Sequence, residues 1–460
     1  MLFFFSFFLL LAALASTPAR AQTGSELHRP PPCRIEAVDY KGWHAQQLSN
    51  RWVQLMVLPQ NGGRLIQVIF AGHAYLFVNA KYEGKSLPPS QSRWYNYGGD
   101  KLWLLPEGNG DEQHWVGNSD VLDDGAYSFR KISEGEHCEV ELTGPADPRT
   151  GIRFERTLGL DADSPRIRFH ATMKNTTGHT VEWSMQSVSQ YDTADPASPS
   201  RMNHDFHALA AANPVSGYLN RYHVRFGPAE NPAVSLTEDG LFRLHYIHMA
   251  AELWLDSTAG WLAVVDGNSK YGMAERFQYE ESRTYPGKAS IIFWTNGPQM
   301  KLNADGEASL SSEGGDGVPY YLEAEINSPL CRLRPAETCS LETEWFPTRV
   351  ESEFHGVTDA GVVVHPLRAA LGKNGRVMLS GAFGAFFAGH LVAHFYNQHG
   401  AGVESVPVAD VDPSQLVALE TGVASSDKPA RISLHLEDWN GIDRGSLGEV
   451  AVGSGEESLK

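Results

Sequence analysis

Apolar and polar residues alternate with a period of two along most of this chain. The alternation is clearest over 52–58, 64–70, 138–143, 167–173, 181–188, 260–265, 290–294 and 320–326. Such alternation places successive side chains on opposite faces of a strand. Turn residues separate the segments: Pro59-Gln60-Asn61-Gly62-Gly63, Thr177-Gly178, Asp266-Gly267-Asn268 and Asn296-Gly297-Pro298. Many short strands with turn signals between them predict an all-β sandwich or barrel. Helical spacing is scarce, and 366–371 is the one moderate instance.

The strand series runs to about Thr348. That exceeds a single immunoglobulin-type sandwich of about 100 residues and suits a large, many-stranded one. The pattern breaks over 349–361. A second series follows at 362–364, 376–380, 391–396, 415–419 and 430–436, with turns at Lys373-Asn374-Gly375 and Trp439-Asn440-Gly441. The organisation expected is a large domain over 34–350 and a small immunoglobulin-like β-sandwich over 358–453. The tail from Gly453 to Lys460 reads as disordered.

The amino terminus changes the expected setting. An apolar run from Leu2 to Ala15 precedes Ala19-Arg20-Ala21, an A-x-A cleavage pattern. This reads as a signal peptide over 1–21 that directs export to the periplasm or outside the cell. The rival reading is an uncleaved anchor, although the run is short of the ~20 apolar residues of a membrane span. Export permits disulfides. Of four cysteines, Cys331 and Cys339 are spaced for a bridged hairpin, which leaves Cys33 with Cys138, among three possible connectivities. The formal net charge of −18 argues against nucleic acid and anionic membranes as partners. It is compatible with a neutral ligand such as a sugar, and equally with solubility alone.

The order of motifs is informative. Asn61-Gly62-Gly63-Arg64 opens a strand. Tyr97-Gly98-Gly99-Asp100-Lys101-Leu102-Trp103 follows, with Pro106-Glu107 close behind, then Val121-Leu122-Asp123-Asp124-Gly125-Ala126-Tyr127. Later come Trp183-Ser184-Met185-Gln186, Gly260-Trp261-Leu262-Ala263, the run from Tyr321 to Leu330, Leu333-Arg334-Pro335-Ala336-Glu337 and Glu344-Trp345. Over roughly 36–348 this resembles an uncharacterised bacterial family of the galactose-mutarotase-like superfamily. The resemblance implies a β-supersandwich that binds carbohydrate on a concave face. In aldose 1-epimerases of that superfamily a Glu base and a His acid open and reclose a sugar ring. The segment nearest to the epimerase Glu-x-Gln-x-x-Pro context is Glu323-Ala324-Glu325-Ile326-Asn327-Ser328-Pro329, and the match is incomplete. No His lies between Trp183 and Gln190, where the strand histidine would fall, and Tyr97-Gly98-Gly99 replaces a His-Gly-Gly segment.

The residues themselves nominate a site. Glu323 and Glu325 are two apart on a strand and share a face with Tyr321. Paired acids among apolar neighbours push one pKa upward, as general acid or base work needs. The alternative is a solvated acidic edge. Arg64 either offers its planar fork to a ligand or forms a structural ion pair. Around the double glycine, Trp94, Tyr95, Tyr97 and Trp103 offer ring faces and Asn96, Asp100 and Lys101 offer hydrogen-bonding groups. The alternative there is an aromatic core corner. Gln186 adds a donor, and His114, in Asp111-Glu112-Gln113-His114-Trp115, is the candidate acid alongside Lys101. His204 with His207, and His245 with His248, have the i, i+3 spacing of metal ligands but lack a third ligand. No metal or cofactor is expected. Phosphate-loop and serine-elbow motifs are absent. The expectation is a carbohydrate-binding protein with epimerase-like chemistry if it is catalytic; the alternative is a non-catalytic glycan-binding module.

Overall fold

The computed structural model describes residues 30–90, 94–108, 113–115, 121–302, 308–310, 318–372, 376–425 and 429–453. The expected signal peptide, the acidic pair at 111–112, the turn at 373–375 and the tail beyond 453 lie outside these residues.

The described chain is nearly all β. Its first twelve-stranded antiparallel sheet holds ten strands on one continuous path: β1 (Arg34–Tyr40), β2 (Trp43–Ser49), β3 (Val53–Leu58), β4 (Arg64–Phe70), β5 (Asp100–Leu105), β6 (Val181–Asp192), β7 (His223–Phe226), β8 (Ala251–Leu255), β9 (Ile291–Thr295) and β10 (Tyr321–Asn327). Their spatial order is β1-β2-β3-β4-β5-β6-β10-β9-β8-β7. The centre of the sheet thus joins segments more than 200 residues apart. A ten-stranded sheet faces it, with Trp261–Asp266, Tyr271–Phe277, Thr338–Arg349 and Ile167–Asn175 side by side.

The period-two pattern explains the layering. Leu102 and Leu104 of β5, Leu322, Ala324 and Ile326 of β10, and Phe293 of β9 enter the core between the sheets. They meet Phe154, Leu158, Phe169 and Trp345 from the facing sheet. Several charged and polar groups within this core are paired, which offsets the several kcal/mol that burying them unpaired would cost. Asp100 forms an ion pair with Arg156 and accepts from the hydroxyls of Ser187 and Ser189. The Tyr191 hydroxyl donates to Glu275 Oε1 at 2.5 Å. Burial pushes the Glu275 carboxyl up to about 8.

Two four-stranded sheets follow. One pairs Gly356–Val357, Gly361–Leu371, Arg376–Ala385 and Leu416–Ala424. The other pairs Gly402–Val411, Gly389–Tyr396, Arg431–Asp438 and Asp443–Ala451. Their shared core is continuous with the outer face of the ten-stranded sheet. Leu209, Trp261, Ala263 and Phe346 of that sheet pack with Phe383, Phe386 and Leu391. Phe346 and Phe386 stack with centroids 4.3 Å apart. On the other side of the junction Trp52 Nε1 donates to Asp412 Oδ1 at 3.2 Å.

The expected helix at 366–371 is instead the end of a strand, Gly361–Leu371. His365 and Pro366 sit at a bulge, after which Leu367 and Ala369 alternate inward with exposed Arg368. Proline at a bulge breaks no ladder bond, and the alternation wins. Cys33 bridges Cys138, and Cys331 bridges Cys339.

Candidate functional site

Five strands of the large sheet converge on one face at β10. Their registers run in rows. Glu325 lies opposite Ile292 of β9 on one side and Val188 of β6 on the other; Ile292 pairs with Trp254 of β8, and Val188 with Lys101 of β5. In the next row Glu323 lies between Trp294 and Gln190, and Trp294 pairs with Glu252. A third row holds Asn327, Gln186 and Trp103. Residues directly opposite in a ladder share a face. The face turned away from the core is therefore lined by acids and indoles.

These rows form the floor of a cleft of about 550 Å³, within the range of small-molecule sites. Trp94, Trp103, Trp254, Trp294 and Tyr321 supply aromatic walls; Glu107, Glu252, Glu323 and Glu325 supply four carboxyls. His114, Gln186 and Arg225 also line it. Pro106, which follows a cis peptide bond after Leu105, sets the rim next to Glu107.

The carboxyls differ in their surroundings. Glu323 Oε1 accepts from Lys101 Nζ at 3.2 Å and from Gln190 Nε2 at 2.6 Å. Lys101 is itself 1 % exposed, and its ammonium lies 4.5 Å from the centroid of Trp103. Glu325 accepts from Gln186 Nε2. Burial holds the Glu325 carboxyl well above the usual carboxylate range, and the charges of Glu323, Glu252 and Glu107 add to the effect while Lys101 opposes it. Desolvation followed by repulsion from Glu323 stabilises its protonated form. Trp254 Nε1 donates to Glu252 Oε1 at 2.5 Å. Burial and Glu323 raise Glu252, against Trp254 and Arg225. Glu107 is exposed at the rim of the cleft, beside the other carboxyls. Loss of hydration, then Glu252 and Glu323, push it up to about 7.

Of the residues nominated from sequence, Trp94, Trp103, His114, Gln186, Glu323 and Glu325 line the cleft, whereas Tyr95 packs with Tyr82 and Tyr97. Lys101 lies just beneath and reaches it through Glu323. Four others stand elsewhere. Asp100, next to Lys101 on β5, points the opposite way into the core, where it meets Arg156. Arg64 is fully buried in an ion pair with Asp123 Oδ1 at 2.7 Å and donates to the Gly98 carbonyl at 3.1 Å. Tyr97 is fully buried, and its hydroxyl accepts from the Leu87 amide at 3.0 Å. Asn96 accepts through Oδ1 from the Gly98 amide at 3.2 Å and shapes the turn. Arg64 nevertheless supports the cleft wall indirectly. Its partner Asp123 accepts from Trp103 Nε1 at 2.9 Å and from Trp94 Nε1 at 3.2 Å.

The double glycine serves backbone packing. Gly98 and Gly99 have φ of 95° and 74°. A Cβ at Gly98 would stand 2.0 Å from the Phe77 carbonyl oxygen, and one at Gly99 2.6 Å from that of Leu65. Only glycine fits such a conformation and approach.

Sequence reasoning missed Glu107, Arg225, Glu252, Trp254 and Trp294 as site residues. Glu252-Leu253-Trp254 carried a signal, since Leu253 is core and its neighbours must face outward. Of the paired histidines, His204 is exposed, whereas His207 is buried opposite His245 in the ladder, and burial lowers it to about 4. Among the described residues no group of three or more potential ligands could hold a metal ion.

No protein-family model and no curated protein matches the chain. Solved structures do. A TPR-domain containing protein from Parabacteroides distasonis shares 13 % identity over 66 % of this chain, with a TM-score of 0.43; the match spans only 47 % of that protein's length. A galactose mutarotase-like protein from Clostridium acetobutylicum shares 10 % identity, with 70 % of this chain and 99 % of that one covered and a TM-score of 0.44. A galactose mutarotase related enzyme from Lactobacillus acidophilus shares 9 % identity, with 65 % and 96 % covered and a TM-score of 0.41. At such identities and TM-scores the likeness carries no argument about this chain's fold or site. Solved structures to which the chain is similar thus include proteins described as galactose mutarotase-like.

Proposed function

We propose that this protein binds a sugar in the cleft over β10 and exchanges protons with it. The observation that carries the reading is the pairing of Glu323 and Glu325 on the floor of a cleft walled by four tryptophans. Indole faces suit the C–H faces of a pyranose, and carboxyls suit its hydroxyls. Glu325, held protonated, is the proton donor. Glu323, whose charge Lys101 offsets, or Glu107 at the rim is the acceptor. A protonated donor and a charged acceptor on one ring are what opening and reclosing an anomeric centre needs. The second reading is binding without turnover. It is favoured by the floor itself, where Gln186 and Lys101 already engage both carboxyls.

The test is a sugar panel by thermal shift, followed by exchange spectroscopy of anomer interconversion for each hit. A sugar that binds the folded state raises Tm by mass action. The expected result is accelerated exchange that falls at least about 100-fold in Glu325→Gln, the lower end of a general-acid contribution, with sugar affinity kept within a few fold. Binding without any acceleration would leave the second reading. No shift by any neutral, acidic or basic sugar would overturn both.

Export belongs to the same proposal. The leader read at 1–21 and the two disulfides agree with an oxidising compartment. Sequencing the amino terminus of the protein from a secreting host is expected to begin at Gln22.

A further inference from the structure

The cleft's unmatched groups are of one chemical kind. Glu325 Oε1 and Glu323 Oε2 make no hydrogen bond within the protein among the described residues, although both side chains are more than nine-tenths buried and both residues line the cleft. Glu252 uses only Oε1, on Trp254. Glu107 has no hydrogen-bond partner among the described residues. Glu323 Oε2 and the second oxygen of Glu252 are acceptor positions waiting for donors, and Glu325, protonated in the free protein, becomes one when a bound cation draws off its proton. The countercharge present does not balance them. Lys101 is engaged by Glu323, and Arg225 is an exposed rim residue whose guanidinium carbon lies 6.0 Å from the Trp254 centroid. His114 also lines the cleft.

A neutral sugar would displace water from this cluster and supply hydroxyls but no charge. A cationic one would supply both. An ammonium has three donors and no acceptor, which matches the free oxygens. The walls agree, because indole faces attract cations, and four tryptophans line the same cleft as the carboxyls. The chain's formal net charge of −18 draws cations toward it over longer distances. Resting on the reading of the cleft as a sugar site, we infer that its ligand is a saccharide that carries a free protonated amine, an amino sugar or a short chain of deacetylated amino sugars. The ring packs on the indoles and the ammonium sits among Glu252, Glu323 and Glu325.

The experiment is isothermal titration of the full mature chain, in a buffer free of amines, with three matched sets: glucose, glucosamine and N-acetylglucosamine; the galactose counterparts; and the dimers of glucosamine and N-acetylglucosamine. The amines are expected to bind at least about tenfold tighter than their acetylated and hydroxylated partners in one set or more. That ratio is expected to fall toward one in Glu252→Gln, with an unchanged circular dichroism spectrum. Ethanolamine, an amine without a ring, is expected to bind at least tenfold more weakly than the best amino sugar. If parent or acetylated sugars bind as tightly as the amines, this inference is overturned and the sugar site stands. If ethanolamine matches the amino sugars, the sugar part of the inference is overturned. If nothing binds, the sugar site falls with it.

Discussion

At the scale of single residues, buried titratable groups set opposite limits on stability. Glu275 has its folded pKa raised from 4.5 to about 8 by burial. Between those values the folded chain holds a proton that the unfolded chain releases. Stability therefore falls as pH rises through this window, by at most ~1.4 kcal/mol per pH unit. Glu275→Gln keeps an acceptor for Tyr191 and removes the titration. Its stability relative to the parent is expected to improve steadily from pH 5 to pH 8 in urea unfolding; a constant difference would refute the buried-acid account. His207 works in the other direction. Burial lowers it from 6.5 to about 4, so the unfolded chain takes up a proton first, and stability falls as pH drops below 6.5. His207→Gln is expected to flatten that acid limb. Gly98→Ala should cost about 2 kcal/mol or more at any pH, because a positive φ and a carbonyl 2.0 Å from the new Cβ both oppose it.

At the scale of elements, strand alternation was legible and strand neighbourhood was not. Tyr321, Glu323 and Glu325 could be assigned to one face because period two is local. The same rule would have excluded Asp100 or Lys101, since adjacent strand residues cannot both face the ligand. Glu252, Trp254 and Trp294 could not be placed beside Glu323, because two strands of the facing sheet intervene between β8 and β9 and a two-stranded sheet between β9 and β10. Arg64 was undecidable because a buried ion pair and a ligand contact ask for the same side chain. The disulfides make a prediction at this scale. Cys33 with Cys138 ties the outer end of β1 to the facing sheet across 105 residues, whereas Cys331 with Cys339 closes 8. On a chain-entropy account Cys33→Ser is expected to cost ~4–5 kcal/mol, and Cys331→Ser clearly less. Equal losses by guanidinium unfolding would show that loop length does not govern here.

At the scale of the whole molecule, the carboxy-terminal sheets are docked on the face of the ten-stranded sheet that points away from the core with the cleft sheet. Trp261, Phe346 and Phe386 make the seam apolar. Phe386→Ala should destabilise by ~3–5 kcal/mol, the usual cost of such a truncation. One cooperative calorimetric transition is expected for the full chain. Two separated transitions would mean that the seam is weaker than its burial implies. Ligand binding is expected to shift that single transition as a unit, since no cleft residue belongs to the seam.

One feature of β10 reaches further than this chain. Leu322, Ala324 and Ile326 hold the fold, while Tyr321, Glu323, Glu325 and Asn327 face the other way. Foldability and chemistry are thus written in alternate letters of a single seven-residue word. Drift or design can rewrite the odd-numbered letters to change what the cleft accepts and leave the even-numbered letters untouched. Deleting one residue would do the reverse: it would exchange the two alphabets, bury the acids and turn the leucine and isoleucine toward the ligand. Substitution is therefore the open route to new specificity at this site, and insertion or deletion within the strand is the closed one.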